Sequence, residues 1–390
     1  MKKLAFLSFI PLALVASDVE YKGNIGFETQ YLHHSIQDKR DTALALRLEA
    51  ELKKKFQDSE VALKLKGLLD YNDKNRRYVD FNDLYYKYNF QESDLLIGRN
   101  TKFWGALEFY NLTDVFNTKD ILDDPYDYDS KLGAWNVSYT NYFDNSELSL
   151  IVKLHEEKQK MQERKSVNNF LPLPYNDTLK TQSGDERPSI YLKYSGSGDE
   201  VQIDYGIIYE NGYDAQRYMT MSGGSLQQNA YIVNKFLGYA TLVSGDTLYK
   251  TEMAYTLSED KAVSDYGELG VGLEYTLYGV WGQRDLGFLV EYYRYEAKDN
   301  TKLGAKDFNY FFQNDISLGF RLSMNDLFSS ELLGGVDIDL DNHEKIYTLK
   351  YDTRVYEKYK LQLSYLHLSP SESSVFQRLD RFKLEFGYYF

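Results

Sequence analysis

The chain has 390 residues, a formal net charge of -14, no cysteine, six prolines and a mean hydropathy of -0.53. With no cysteine, neither a disulfide scaffold nor a thiolate metal site can form, and the acidic balance argues against nucleic acid as a partner. No apolar run after the first residues reaches the roughly 18 residues that a membrane-spanning helix needs, yet 16% of residues are aromatic and 27% charged. A chain rich in both classes must segregate them onto different faces.

The first seventeen residues read as an export signal. Lys2 and Lys3 form a positive start, Leu4 to Ala16 is apolar, and Val15-Ala16-Ser17 offers small residues for cleavage. The expected domains are thus a signal peptide over 1–17 and one structural unit over 18–390, and loss of two lysines takes the charge of the mature chain to -16.

From Thr42 the chain runs TALALRLEAELKKKF, with Leu44, Leu46, Leu48, Ala50 and Leu52 on one side and Arg47, Glu49, Glu51 and Lys53 on the other. That is alternation at period 2, the mark of a strand with one apolar and one polar face. A helix over 43–56 is the local competitor, but helical spacing would scatter the leucines around the axis.

The same template predicts about eighteen strands: 21-35, 42-56, 60-71, 81-91, 94-103, 131-143, 147-155, 189-195, 200-210, 229-243, 247-257, 267-278, 285-297, 309-323, 330-340, 346-356, 359-368 and 377-390. Tight polar turns such as Gln57-Asp58-Ser59, Asp144-Asn145-Ser146 and Ser244-Gly245-Asp246 alternate with longer connections, among them 72-80, 104-130, 156-188, 211-228 and 298-308. The fold class this predicts is all-β, a transmembrane antiparallel β-barrel of about 18 strands with 16 as the alternative, and both termini on the periplasmic side. Lipid offers no hydrogen-bond partner, so a spanning sheet has to close. Tyr86, Tyr88, Phe90, Phe288 and Tyr292 are expected in interfacial girdles.

In the last strand Phe382, Leu384, Phe386, Tyr388 and Phe390 alternate with Arg381, Lys383, Glu385 and Gly387. This ending resembles the final strand of bacterial outer-membrane barrels, whose terminal aromatic residue is recognised by the assembly machinery. A second resemblance lies at Gly98-Arg99-Asn100-Thr101-Lys102-Phe103-Trp104-Gly105 with Asp114-Val115-Phe116-Asn117-Thr118-Lys119-Asp120, which is similar to the G-R-x4-W-G and D-V-x-N-x-x-D segments of a poorly characterised proteobacterial porin-like family. It covers about a tenth of the chain directly. What it implies is a barrel with a channel-like role, without naming a substrate; the barrel architecture in turn sets the expected partners as outer-membrane lipid, lipopolysaccharide and small hydrophilic solutes, with a homotrimer as the architectural analogy.

Inward polar residues of so wide a barrel are expected to line water and to need no particular partner. The candidate pore-lining residues are Arg47, Glu49, Lys53, Lys64, Lys66, Asp83, Lys87, Arg354, Arg381 and Lys383; with Glu51, Asp70, Glu274, Asp337, Asp339 and Glu385 also expected inward, the two signs roughly balance and no ring of one sign forms. Connection 104–130 is the candidate constriction loop, with Trp104 and Phe109 as apolar weight and Asp114, Asp120 and Asp124 as charge; an ordinary exposed acidic loop is the alternative. Its carboxylates lack the spacing of a calcium loop, which favours a solvated acidic loop over a metal site. Lys158, Lys160, Arg164 and Lys165 sit in a connection expected to be mobile and external, where they could meet lipopolysaccharide phosphates.

An enzyme is the rival class. Asp341-Asn342-His343, with Asp80 and Asp83, is the nearest approach to a water-activating site. No nucleophile elbow, phosphate loop or spaced metal cluster accompanies it, so no catalytic residue, metal or cofactor is assigned. The function expected is passive diffusion through a water-filled porin, with a substrate-specific channel or a surface-binding or structural barrel as the alternatives.

Overall fold

Alternation of apolar and polar side chains produces a sheet with one face for lipid and one for the interior, and the computed structural model of the protein closes that sheet. It describes residues 19–34, 38–127, 129–169, 171, 173–198, 200–304, 312–371 and 378–390. The signal segment and Pro172 fall outside them.

The strands in chain order are β1 (Val19–His34), β2 (Thr42–Lys55), β3 (Ser59–Asp70), β4 (Arg77–Asn89), β5 (Ser93–Asn100), β6 (Ala134–Tyr142), β7 (Ser146–Lys153), β8 (Tyr175–Thr181), β9 (Ser189–Ser197), β10 (Ile203–Tyr213) and β11 (Tyr218–Ser222). They continue with β12 (Ser225–Ala230), β13 (Ile232–Ser244), β14 (Thr247–Ser258), β15 (Tyr266–Val280), β16 (Arg284–Ala297), β17 (Asn314–Ser323), β18 (Glu331–Asp339), β19 (Lys345–Val355), β20 (Tyr359–Ser369) and β21 (Leu379–Tyr389).

All but β8, β11 and β12 belong to one 18-stranded antiparallel sheet. The first and last strands pair from Asn24↔Tyr389 to His34↔Leu379, and Gly23 and Phe390 exchange both backbone hydrogen bonds at 3.0 Å. Closure leaves no unpaired edge, as a sheet in hydrocarbon requires. The barrel has eighteen strands and not the alternative sixteen. The first and last described residues lie at the end carrying the tight turns, since Val19 pairs with Lys54 beside the β2–β3 turn and Phe390 pairs with Gly23.

The faces are inverted relative to a water-soluble barrel. Leu44, Leu46, Leu48 and Leu52 are exposed on β2, whereas Glu28, Arg76, Glu252 and Glu291 are fully buried inside. Tyr31, Phe382 and Tyr365 form an outer aromatic row near the loop end, with centroids 6.5 and 4.8 Å apart. At the other rim Tyr359, Phe386 and Tyr388 form a second, with spacings of 5.6 and 5.3 Å. These are the two levels at which rings with an apolar body and a polar edge are stable at a bilayer surface.

β8, β11 and β12 make a separate three-stranded sheet from the connections β7–β9 and β10–β13, with β12 parallel to β8 and antiparallel to β11. Sequence alternation missed them because the strands are short and each carries at most two apolar residues of the shared face, Tyr175 and Leu179, Met219 and Met221, and Leu226. The connection expected to be mobile is tied down where it is described: Glu156 pairs with Arg217 at 2.5 Å, Glu163 with Arg40 at 3.2 Å, and Gln162 donates to the carbonyl of Ile121.

Candidate functional site

The interior is organised by residues 101–133, the connection from β5 to β6. This segment enters the barrel and is held at opposite walls by two different kinds of contact.

Its first limb, 104–116, is fixed by apolar packing and by carboxylates that grip its backbone. The Trp104 ring packs against Phe116 and Tyr191, with centroids 5.6 Å away in each case. Leu107 and Leu112 join Tyr231, Val233, Tyr293 and Phe312 in a buried cluster. Glu252 of β14 accepts the backbone N–H of Ala106, Leu107 and Thr113 at 2.6, 3.0 and 2.9 Å, and the Thr113 hydroxyl at 3.0 Å. Glu291 of β16 accepts the N–H groups of Glu108 and Phe109 at 2.8 and 3.0 Å and the Tyr293 hydroxyl at 2.6 Å. A turn presents N–H groups that regular structure would have satisfied, and a buried carboxylate is an acceptor for several of them at once. Beside the turn, Lys250 of β14 donates to Glu108 at 2.6 Å and to Glu274 at 2.9 Å.

The second limb, 118–131, is ionic. Asp120 meets Lys66 at 2.9 Å, and Asp123 meets Arg47 at 2.5 Å and Lys66 at 2.6 Å. Asp124 meets Arg381 at 2.7 Å and Lys383 at 3.1 Å. The wall supplies further anions that complete the network: Glu28 binds Arg47 at 2.6 Å and Arg76 at 2.8 Å, and Asp70 binds Arg76 at 2.5 Å. The Arg381 guanidinium also lies 4.7 Å from the centre of the Tyr126 ring.

Burial alone would raise the carboxyls of Asp123 and Asp124, but Arg47 and Lys66 hold the first, and Arg381 and Lys383 the second, below the usual carboxylate range. At Asp120 burial prevails over Lys66 and the carboxyl is pushed up.

This loop is therefore not a solvated acidic loop. Asp120, Asp123 and Asp124 keep only 5%, 6% and 4% of their surface. The expectation that inward polar residues need no particular partner is likewise corrected, because a charge shielded from water on three sides is costly unless paired. Besides Arg47, Lys66, Arg381 and Lys383, Lys53 pairs with Glu60 at 2.9 Å and Lys87 with Asp94 at 2.7 Å, while Asp83 accepts the N–H of Thr101 at 3.0 Å. Glu49 and Lys64 line a cavity against the ionic limb. Arg354 alternates in phase with Lys350 and Asp352 on β19, towards the tight-turn rim. Of the loop residues, Trp104, Phe109, Asp120 and Asp124 make the wall contacts described, and Asp114 pairs with Lys131 at 2.5 Å within the loop.

The rival catalytic grouping is not assembled. Asp80 is held by Arg99 at 2.8 Å, and His343 sits in the β18–β19 turn with its N–H donating to the Asp339 carbonyl. Among the described residues no group of three or more His, Asp or Glu side chains is arranged to hold a metal ion. Lys158 and Lys160 line a cavity of about 500 Å³ with Asp80, Arg99 and Asp120, on the inner side of the barrel and not against lipid.

Two further cavities lie beside the loop. One, of about 300 Å³, lies between the ionic limb and the wall and is lined by Glu49, Lys64, Asp127, Asp129, Lys350 and Gln362, among others. The other, of about 280 Å³, lies at the tip of the first limb, with Glu108, Phe109, Arg321, Leu333, Thr348 and Lys350 in its lining. Both reach Lys350 of β19, which stands where neither limb docks. Sequence reasoning missed Lys350, Glu252 and Glu291. Each occupies an inward phase of its strand, but so do many other charged residues, and only the course of the loop singles these out.

A closed antiparallel barrel with an apolar belt outside, a charged interior and an inserted loop is the architecture of outer-membrane channel proteins. No protein-family model matches the chain, and no curated protein matches it. Solved structures do match along nearly its whole length. The crystal structure of Acinetobacter baumannii OccAB4 aligns with a TM-score of 0.58 at 10% identity, covering 96% of this chain and 99% of that one. Pseudomonas aeruginosa OccK8 (OprE) aligns with a TM-score of 0.56 at 8% identity, covering 96% and 98%. Escherichia coli Wzi, an outer-membrane protein described as a carbohydrate-binding β-barrel, aligns with a TM-score of 0.55 at 10% identity, covering 94% and 84%. The chain thus has the fold of the outer-membrane porin barrels.

Proposed function

We propose that the protein is an outer-membrane porin that lets small hydrophilic solutes diffuse passively, with the inserted loop as its constriction and the β18–β20 sector as its passage. The observation that carries this is the pair of cavities that share Lys350 in their lining, one beside the Phe109 end of the first limb and one beside the Asp127 end of the second. A loop held at both walls narrows a wide barrel without filling it. In this reading residues 1–17 are the export signal, the tight turns and both termini face the periplasm, and Phe390 is the assembly signal.

A substrate-specific channel is the second reading, favoured by the sorting of charge. Strands β14–β18 turn Glu252, Glu274, Glu291, Asp315 and Asp337 inward with Lys250 and Arg321 against them, an anionic excess, whereas β19, β21, β2 and β3 turn Lys350, Arg381, Lys383, Arg47, Lys64 and Lys66 inward among Asp352, Glu385, Glu49, Glu51 and Asp70. Facing walls of unequal charge orient dipolar solutes as they pass. Swelling of proteoliposomes in sugars and amino acids of graded size tests both. Rates falling smoothly with solute size are expected of the general porin, and a rate set by solute class at equal size would move the assignment to the specific channel. Proteoliposomes holding folded barrel that do not swell in any solute would overturn both.

A further inference from the structure

The first limb ends in two apolar side chains, Leu107 and Phe109, that meet a wall built without side chains. A β-carbon at Gly270 of β15 would lie 2.4 Å from Leu107 Cδ1, and one at Gly272 would lie 3.0 Å from Leu107 Cδ2. A β-carbon at Gly319 of β17 would lie 3.2 Å from Phe109 Cε2, and one at Gly335 of β18 would lie 2.8 Å from Phe109 Cζ. Real β-carbons do not approach carbon atoms as closely as those at Gly270 and Gly335 would, and those at Gly272 and Gly319 would press the rings and methyls back by a few tenths of an ångström, so the loop docks at this depth because these four positions are glycine. None of the four needs glycine for its backbone, since none has a positive φ. Glycine in a strand interior weakens the strand. Its recurrence at four positions facing one loop therefore has a packing cause. Glu291, on β16 between these strands, grips the backbone N–H groups of Glu108 and Phe109 and fixes the two knobs in register with the hollow.

We infer that Gly270, Gly272, Gly319 and Gly335 form a socket for the loop and are positioning residues of the channel: they set how far Phe109 stands out from the wall, and so the width of the passage beside it. This rests on the proposed constriction. Phe109 lines both the socket and the cavity that reaches Lys350. Bulk placed under the ring drives it into the passage, and removal of the ring widens the passage whatever lies beneath.

The test is a double-mutant cycle on single-channel conductance in planar bilayers, with heat-modifiable migration as the check that each barrel has closed. Gly335→Val is expected to lower the conductance by about a third or more, from the size of a valine side chain against a passage a few ångströms wide, and to add flicker. Phe109→Ala is expected to raise it. The double variant should resemble Phe109→Ala, because valine then occupies space that the ring has left. Additive effects, or a Gly335→Val conductance equal to the parent's together with unchanged backbone exchange of the loop, would overturn the socket.

The proposed constriction has a separate readout in backbone hydrogen exchange of residues 104–116. Faster exchange in Gly335→Val with unchanged conductance would mean that the loop moved without affecting flow, which refutes the constriction and leaves the socket standing. Unchanged exchange and unchanged conductance together would refute the socket alone.

Discussion

The two limbs of the inserted loop are held across the same interior by opposite means. At 104–116 the contacts are rings, leucines and backbone N–H groups on Glu252 and Glu291; at 118–127 they are aspartates on Arg47, Lys66, Arg381 and Lys383. The lesson is that a polar interior does not dictate a polar anchor. A turn can be docked by acceptors that match its unpaired N–H groups, and an acidic segment by a wall of cations. The two differ in what dissolves them: cavities and lost acceptors for the first limb, protons and lost partners for the second.

Removing one member of the ionic limb is expected to have the largest effect. Arg47→Ala leaves Asp123 and Glu28 buried short of a partner, and loss of one side of a buried pair costs about 3–5 kcal/mol. The denaturation midpoint in micelles should fall, and hydrogen exchange should quicken at 118–127 with 104–116 little changed. Equal quickening in both limbs would show that they are one unit.

Trp104→Ala should do the converse. It empties a site against Phe116 and Tyr191 at a cost of about 3 kcal/mol, with exchange rising at 104–116 first.

Glu252→Gln is the finer probe. It keeps the shape but removes the charge and turns one of the two acceptor oxygens into an NH2 that cannot accept, so two of the four hydrogen bonds are lost, and it is expected to cost about 2–3 kcal/mol. The loss should again be confined to the first limb.

Acid sharpens the contrast with the smallest expected effect. The carboxyls of Asp123 and Asp124 are depressed in the folded state, so their contribution is fully present above the unfolded value of about 4 and is lost as pH falls through the folded values. Asp120 is shifted the opposite way and partly offsets them. Exchange compared at pH 7 and pH 3 should loosen 118–127 and leave 104–116 in place. A first limb that loosens equally would remove the distinction.

Much of the fold was legible because a membrane barrel writes its two faces at the shortest period available. Leu44, Leu46 and Leu48 against Arg47 and Glu49 could belong to nothing else once the pattern recurred along the chain. The weight of Trp104 and Phe109 and the charge of Asp120 and Asp124 also drew attention to the segment whose side chains the barrel wall buries. What stayed hidden was pairing at a distance. Nothing near Asp124 in sequence points to Arg381, and nothing near Glu108 points to Gly335, because the loop crosses the interior before it meets either wall. The strands β8, β11 and β12 were hidden for another reason: at seven, five and six residues each carries at most two apolar positions of the shared face, too short an alternation to read.

The central claim is a water-filled passage running along β19 between the two limbs, with Lys350 in its wall. Its most direct test is the reversal potential of single channels in a planar bilayer under a salt gradient, measured for the parent and for Lys350→Glu. Discrete, stable steps are expected from both, with the variant's reversal potential shifted towards cation preference. Equal reversal potentials, or no steps from a folded, heat-modifiable barrel, would contradict the account.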